Sequence, residues 1–94
     1  MLVIYDITDD NLRNKVANVL MAYGLVRVQK SAFLGKLTSE QLKDLRARIQ
    51  RMIKGERANI QFYPLCPHCY IRRQEIGVPT VERPLIARGA IVLV

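Results

Sequence analysis

The carboxylate of Asp6 is the first side chain in this sequence with a setting suited to chemistry. It stands near the end of a short apolar run, Leu2-Val3-Ile4-Tyr5-Asp6-Ile7, and two more acids follow at Asp9 and Asp10. Between Asn11 and Ser39 there are five cations (Arg13, Lys15, Arg27, Lys30, Lys36) and no Asp or Glu. Acids beside a basic field suit a divalent ion facing phosphates. Magnesium in particular takes one or two carboxylates, keeps waters and accepts phosphate oxygens as further ligands. If the apolar run is a strand, Asp6 shares a face with Leu2 and Ile4, where a buried, unpaired carboxylate is costly. Two copies related by a two-fold axis would bring two Asp6 side chains together, and a cation between them would relieve their repulsion. The simpler role is a hydrogen-bond acceptor at the start of the following helix, and position alone favours that cap.

A second chemical feature is Cys66-Pro67-His68-Cys69. One CxxC is half of a four-ligand zinc site, and no second half is present in the chain. A disulfide closing the short loop is another use, and two reduced thiols a third. The reduced pair is the expectation for a cytoplasmic protein, with the disulfide next. A thioredoxin-like redox site ranks last, because the CxxC follows a late strand and Pro64 instead of opening a helix after an early one.

The elements that must position these groups follow from patterning. Leu2 to Ile7 reads as a buried strand. Asp9 or Asp10 caps a helix in which Leu12, Val16, Val19, Leu20 and Tyr23 recur at helical spacing until Gly24 stops it. Leu25 to Val28 and Ala32 to Leu34 read as extended pieces, as one bulged strand or two short ones, joined through Gln29-Lys30-Ser31 and ending at Gly35. Thr38 and Gln41 have capping-box spacing ahead of a second helix with the apolar stripe Leu42, Leu45, Ile49, Met52 and Ile53, stopped at Gly55. Ala58 to Tyr63 alternates and reads as a strand. The predicted order, β-α-β-β-α-β in the first 63 residues, is that of an α+β ferredoxin-like sandwich, with helices on one sheet face and the other face open. An open apolar face on a small domain calls for cover, and self-association into a homodimer is the commonest means.

Residues 64–88 hold all four prolines and read as an irregular connection with one short helix near Tyr70 to Glu75. Residues 89–94, Gly89-Ala90-Ile91-Val92-Leu93-Val94, read as a terminal strand that pairs within the subunit or with a partner. The whole of residues 1–94 is expected to form one domain.

The net charge of +7 implies an anionic partner. No apolar stretch approaches the roughly 20 residues of a membrane span, and the chain opens without a basic leader, so a cytoplasmic, membrane-free protein is expected. An RNA-recognition motif is disfavoured, since the strands lack its aromatic-rich consensus.

The ordered segments Tyr5-Asp6-Ile7-Thr8-Asp9-Asp10-Asn11-Leu12-Arg13-Asn14, Tyr23-Gly24 and Arg27-Val28-Gln29-Lys30-Ser31-Ala32-Phe33-Leu34-Gly35 resemble the small CRISPR-associated adaptation protein, the second of the numbered Cas proteins. Pro64-Leu65-Cys66-Pro67-His68-Cys69 is similar to a segment found after the fourth strand in many members, and the resemblance fades beyond Tyr70. It implies a ferredoxin-like homodimer, a metal-dependent endonuclease on RNA or DNA. It also implies a part in spacer acquisition, bridging the larger adaptation integrase and holding duplex DNA. By the same resemblance Asp6 is the metal-binding and catalytic aspartate, with Mg2+ or another divalent cation. Tyr5 is placed beside it as catalytic, and Arg13, Lys15, Arg27, Lys30 and Phe33 as nucleic-acid-binding residues. Lys15 stands where arginine is frequent, which keeps the charge and loses the bidentate fork. No histidine or lysine is an obvious general base near Asp6, so water activated by the cation would have to serve. The alternative is a non-catalytic scaffold in which Asp6 is structural.

Overall fold

The computed structural model describes residues 1–78. The expected terminal strand at 89–94 and the later part of the connection lie outside the described residues.

Four strands and three helices follow in the order β1 (Leu2–Ile7), α1 (Asp10–Ala22), β2 (Val26–Gln29), β3 (Ala32–Leu34), α2 (Ser39–Met52), β4 (Ala58–Tyr63) and α3 (Pro67–Ile71). The strands form one sheet in the order β2-β3-β1-β4, every neighbouring pair antiparallel. This is the ferredoxin-like arrangement. The linking residues resolve as two strands, with a register irregularity between Arg27 and Gln29.

Alternation along β1 sorts its side chains cleanly. Val3, Tyr5 and Ile7 are buried and join Leu12, Val16, Leu20, Leu45 and Ile49 of the two helices in the main core. Leu2, Ile4 and Asp6 point to the other face. Helix ends are set locally: Asp9 accepts the Leu12 N–H at 2.7 Å, and Thr38 and Gln41 complete a reciprocal capping box. Gly24, at φ +87, adopts the left-handed conformation that ends α1. Gly35 is needed for space instead, because a Cβ there would lie 2.7 Å from Leu25 Cδ2 and 3.2 Å from Leu25 Cα.

The face away from α1 and α2 is less apolar than the strand pattern suggested. One corner is covered by the chain itself: Tyr70 of α3 and Leu34 are buried together, with Leu2, Val26, Val28 and Leu65 packed around them. Along β4 the exposed row is polar, Gln61 donating to Asn59 at 2.9 Å and Tyr63 donating to Gln61. Ile4 and Asp6 remain bare between these two regions. The short helix starts earlier than expected, at Pro67, because Pro67 supplies a helix-ready φ at the first position and Cys66 acts as the N-cap.

Candidate nucleic-acid interface and carboxylate

Tyr5 ties the centre of the sheet to the β2–β3 turn. Its backbone N–H donates to Ser31 O at 3.0 Å and its hydroxyl donates to Lys30 O at 3.3 Å. The ring, 3% exposed, lies 6.0 Å from the Phe33 ring at an interplanar angle of 26°. The turn is therefore held against β1, and beside it opens a cleft of about 760 Å3 lined by Tyr5, Arg13, Asn14, Arg27 and Val28 to Ser31. Among the described residues the lining holds three cations, Arg13, Arg27 and Lys30, and no carboxylate.

Each cation is positioned differently. Arg13 donates to Ile7 O at 3.2 Å and pairs with Asp10, so its guanidinium is tethered across the start of α1. The Arg27 guanidinium sits 5.2 Å from the centroid of the Phe33 ring, a cation-π contact that holds the charged head of an exposed side chain. Lys30 stands in the turn whose carbonyl is held by Tyr5. Three cations spread over a concave surface suit a chain of phosphates read without regard to base sequence.

Of the expected site residues, Tyr5, Arg13, Arg27 and Lys30 converge on this cleft. Lys15 is exposed on α1 and lies outside the lining. Phe33 is 0% exposed in the subunit, so the contact with nucleic acid expected of it is not available there. Its ring supports Arg27 from below instead, since β3 directs it into the core under the helices. Asn14 and Gln29 line the cleft and carried no role in the sequence reading. The available signal for Asn14 was its place one residue after Arg13 in the leading motif.

Asp6 faces the other way. It is exposed on the bare sheet face, opposite Asn59 in the β1–β4 register, while adjacent Tyr5 points into the core. Among the described residues its side chain makes no hydrogen bond or ion pair. The cap of α1 is Asp9, so the capping role that position favoured for Asp6 is filled by another residue. Among the described residues no cluster of three or more His, Cys, Asp or Glu side chains is assembled. One exposed carboxylate per chain fits a hard cation only where a second chain or phosphate oxygens complete the shell, as magnesium permits.

The two thiols are free and exposed, 3.2 Å apart, and the Cys69 N–H donates to Cys66 Sγ at 3.3 Å. Hydrogen bonding from Cys69 lowers the Cys66 thiol below its usual range, and the same contact raises Cys69. Cys66 caps α3, so this CxxC opens a short helix, and that helix follows β4, the late strand expected before it.

With its crossovers and all-antiparallel sheet, the subunit falls in the ferredoxin-like class of α+β proteins. The family model for CRISPR associated protein Cas2 matches residues 1–73. A CRISPR-associated endoribonuclease Cas2 of Pyrobaculum aerophilum is 42% identical over 83 residues, covering 88% of this chain and 91% of that one. A CRISPR-associated endonuclease Cas1/endonuclease Cas2 fusion of Thermoproteus tenax is 43% identical over 63 residues, 67% of this chain and 24% of the fusion. The crystal structure of Streptococcus pyogenes Cas2 superposes with a TM-score of 0.69 at 28% identity, covering 81% of this chain and 96% of that one. The chain belongs to the CRISPR associated protein Cas2 family. None of its helices within the described residues is long and apolar enough to cross a membrane.

Proposed function

We propose that this protein is a CRISPR adaptation protein that binds the phosphate backbone as a homodimer and hydrolyses phosphodiesters of RNA or DNA with a divalent cation, magnesium by its chemistry. The observation that carries this reading is Asp6: an exposed carboxylate with no hydrogen bond or ion pair among the described residues, on the face left bare by α1 and α2. Two such faces brought together would supply two carboxylates to one shared ion. When bound, that ion offers Lewis-acid stabilisation of charge on the transferring phosphate. The chain's own contributions are separable. Arg13, Arg27 and Lys30 hold neighbouring phosphates, Asn14 and Gln29 offer neutral hydrogen bonds, and Tyr5 positions the turn that carries Lys30. With its hydroxyl given to Lys30 O, Tyr5 is a positioning residue here. The endoribonuclease names of the relatives support the same reaction class.

A second reading is supported by the separation of the cleft from Asp6 and by the absence of acids from the cleft lining. In it the protein is a scaffold that holds duplex DNA and an adaptation integrase, and Asp6 does no chemistry. The fused relative, in which an endonuclease Cas1 and an endonuclease Cas2 share one chain, supports such a partner. The two readings part on cleavage by the purified wild-type protein. Labelled single-stranded RNA and duplex DNA are incubated over a magnesium titration with a chelator control. Cleavage that rises with magnesium and vanishes with chelator supports the nuclease. Tight duplex binding without cleavage at any magnesium concentration supports the scaffold.

A further inference from the structure

We propose that Cys66 and Cys69 form a thiol–disulfide exchange centre, with Cys66 as the attacking sulfur, Cys69 as the resolving sulfur and a low-molecular-weight disulfide as the oxidant. Three features of geometry carry it. The sulfurs are already in contact at 3.2 Å, both cysteines are exposed, and the Cys69 N–H points at Cys66 Sγ from 3.3 Å. Pro67 between them fixes the backbone that holds this contact. Among the described residues neither thiol belongs to a hydrophobic cluster or to the cleft lining. Their roles divide by acidity. The hydrogen bond from Cys69 favours the Cys66 thiolate, and the thiolate is the nucleophile in exchange.

The exchange balances with glutathione disulfide. The Cys66 thiolate attacks one glutathione sulfur, a mixed disulfide forms, and the glutathione S–S bond breaks to release a glutathione thiolate. Cys69 loses its proton to solvent and attacks Cys66 Sγ, and a second glutathione thiolate leaves. Each departing thiolate takes a proton according to pH. Two electrons pass from the cysteine pair to the oxidant, giving one internal disulfide and two glutathiones.

The bond would tie together the first turn of α3. In that turn Tyr70 N–H bonds to Cys66 O at 3.1 Å, and the Tyr70 side chain covers Leu34 on the sheet face that also bears Asp6. Oxidation therefore acts on the segment that covers this face. The centre goes beyond phosphodiester chemistry and does not depend on it.

The test treats chelator-washed wild-type, Cys66→Ser and Cys69→Ser proteins with glutathione disulfide, quenches in acid, alkylates and weighs the intact chains. Circular dichroism melts establish that each variant is folded. The wild type should lose both alkylatable thiols and retain no glutathione. Cys69→Ser should stop as a one-glutathione adduct, and Cys66→Ser should react several-fold more slowly. Wild-type protein carrying a glutathione on each cysteine, equal rates in the two variants, or no oxidation would overturn the proposal. A second arm omits the chelator wash. Oxidation blocked there by a stoichiometric soft metal, visible in the native mass, would reassign the pair as a metal site and also overturn it.

Discussion

The Arg27 guanidinium rests over the ring of Phe33, 5.2 Å from its centroid, and the same ring is 6.0 Å from that of Tyr5. A buried aromatic pair thus forms the floor beneath an exposed cation at the cleft. Arg27→Ala should weaken duplex binding to a similar degree on unrelated sequences and lower the slope of log affinity against log salt by about 1. Arg27→Lys should recover the slope but only part of the affinity, because an ammonium stacks less well on the ring. Fluorescence anisotropy over a salt series measures both.

Asp9 and Asp6 lie three residues apart and differ in duty. Asp9→Ala removes the acceptor for Leu12 N–H and should cost about 1 kcal/mol of stability. Asp6→Ala removes no hydrogen bond or ion pair among the described residues and should change stability by under about 0.5 kcal/mol. Urea unfolding at low protein concentration distinguishes them, and an equal loss in both would contradict the assignment of the cap.

That contrast shows how far residue patterns carry. Element order, the Thr38–Gln41 capping box and the facing of Asp6 with Leu2 and Ile4 follow from local rules, whereas the choice between Asp9 and Asp10 as the cap of α1 does not. The burial of Phe33 was not legible. It sits in a short apolar run, Ala32-Phe33-Leu34, with Lys30 and Lys36 three residues away on either side, and only the pairing of β3 with β1 puts it under α1 and α2. The cover provided by Tyr70 was hidden for the same reason, since it depends on where α3 returns across Leu34. The convergence of Asn14 with Gln29 joins residues from α1 and β2 and has no signature along the chain.

Gly35 approaches Leu25 too closely to carry a side chain. Gly35→Ala would set a Cβ against Leu25 Cδ2 and Cα, and overpacking of this kind costs about 1–3 kcal/mol. Adding Leu25→Val should restore only part of the stability, because the 3.2 Å contact is with backbone. Thermal melts of the single and double variants give the comparison.

Tyr23 joins the end of α1 to the interior of α2 by donating its hydroxyl to Asp44. That hydrogen bond is the main reason its phenol titrates above the usual 10.0, with Arg48 opposing the shift. A group whose pKa is raised by folding stabilises the protein fully below its unfolded pKa. The contribution is lost as pH rises through the folded value. Stability should therefore fall through the strongly alkaline range in the wild type and fall less in Tyr23→Phe. Urea midpoints from neutral to high pH would show it, and parallel curves would contradict it.

In the proposed function Asp6 serves a divalent cation in phosphodiester hydrolysis. Asp6→Asn preserves size and hydrogen bonding while removing the charge that such a cation needs. The direct measurement is magnesium-dependent cleavage of RNA and duplex DNA by wild-type and Asp6→Asn proteins, beside light scattering and duplex binding on the same samples. The variant should lose cleavage while its dimer and its salt-sensitive binding persist. Cleavage by Asp6→Asn at the wild-type rate would contradict that role and leave the scaffold as the function of this protein.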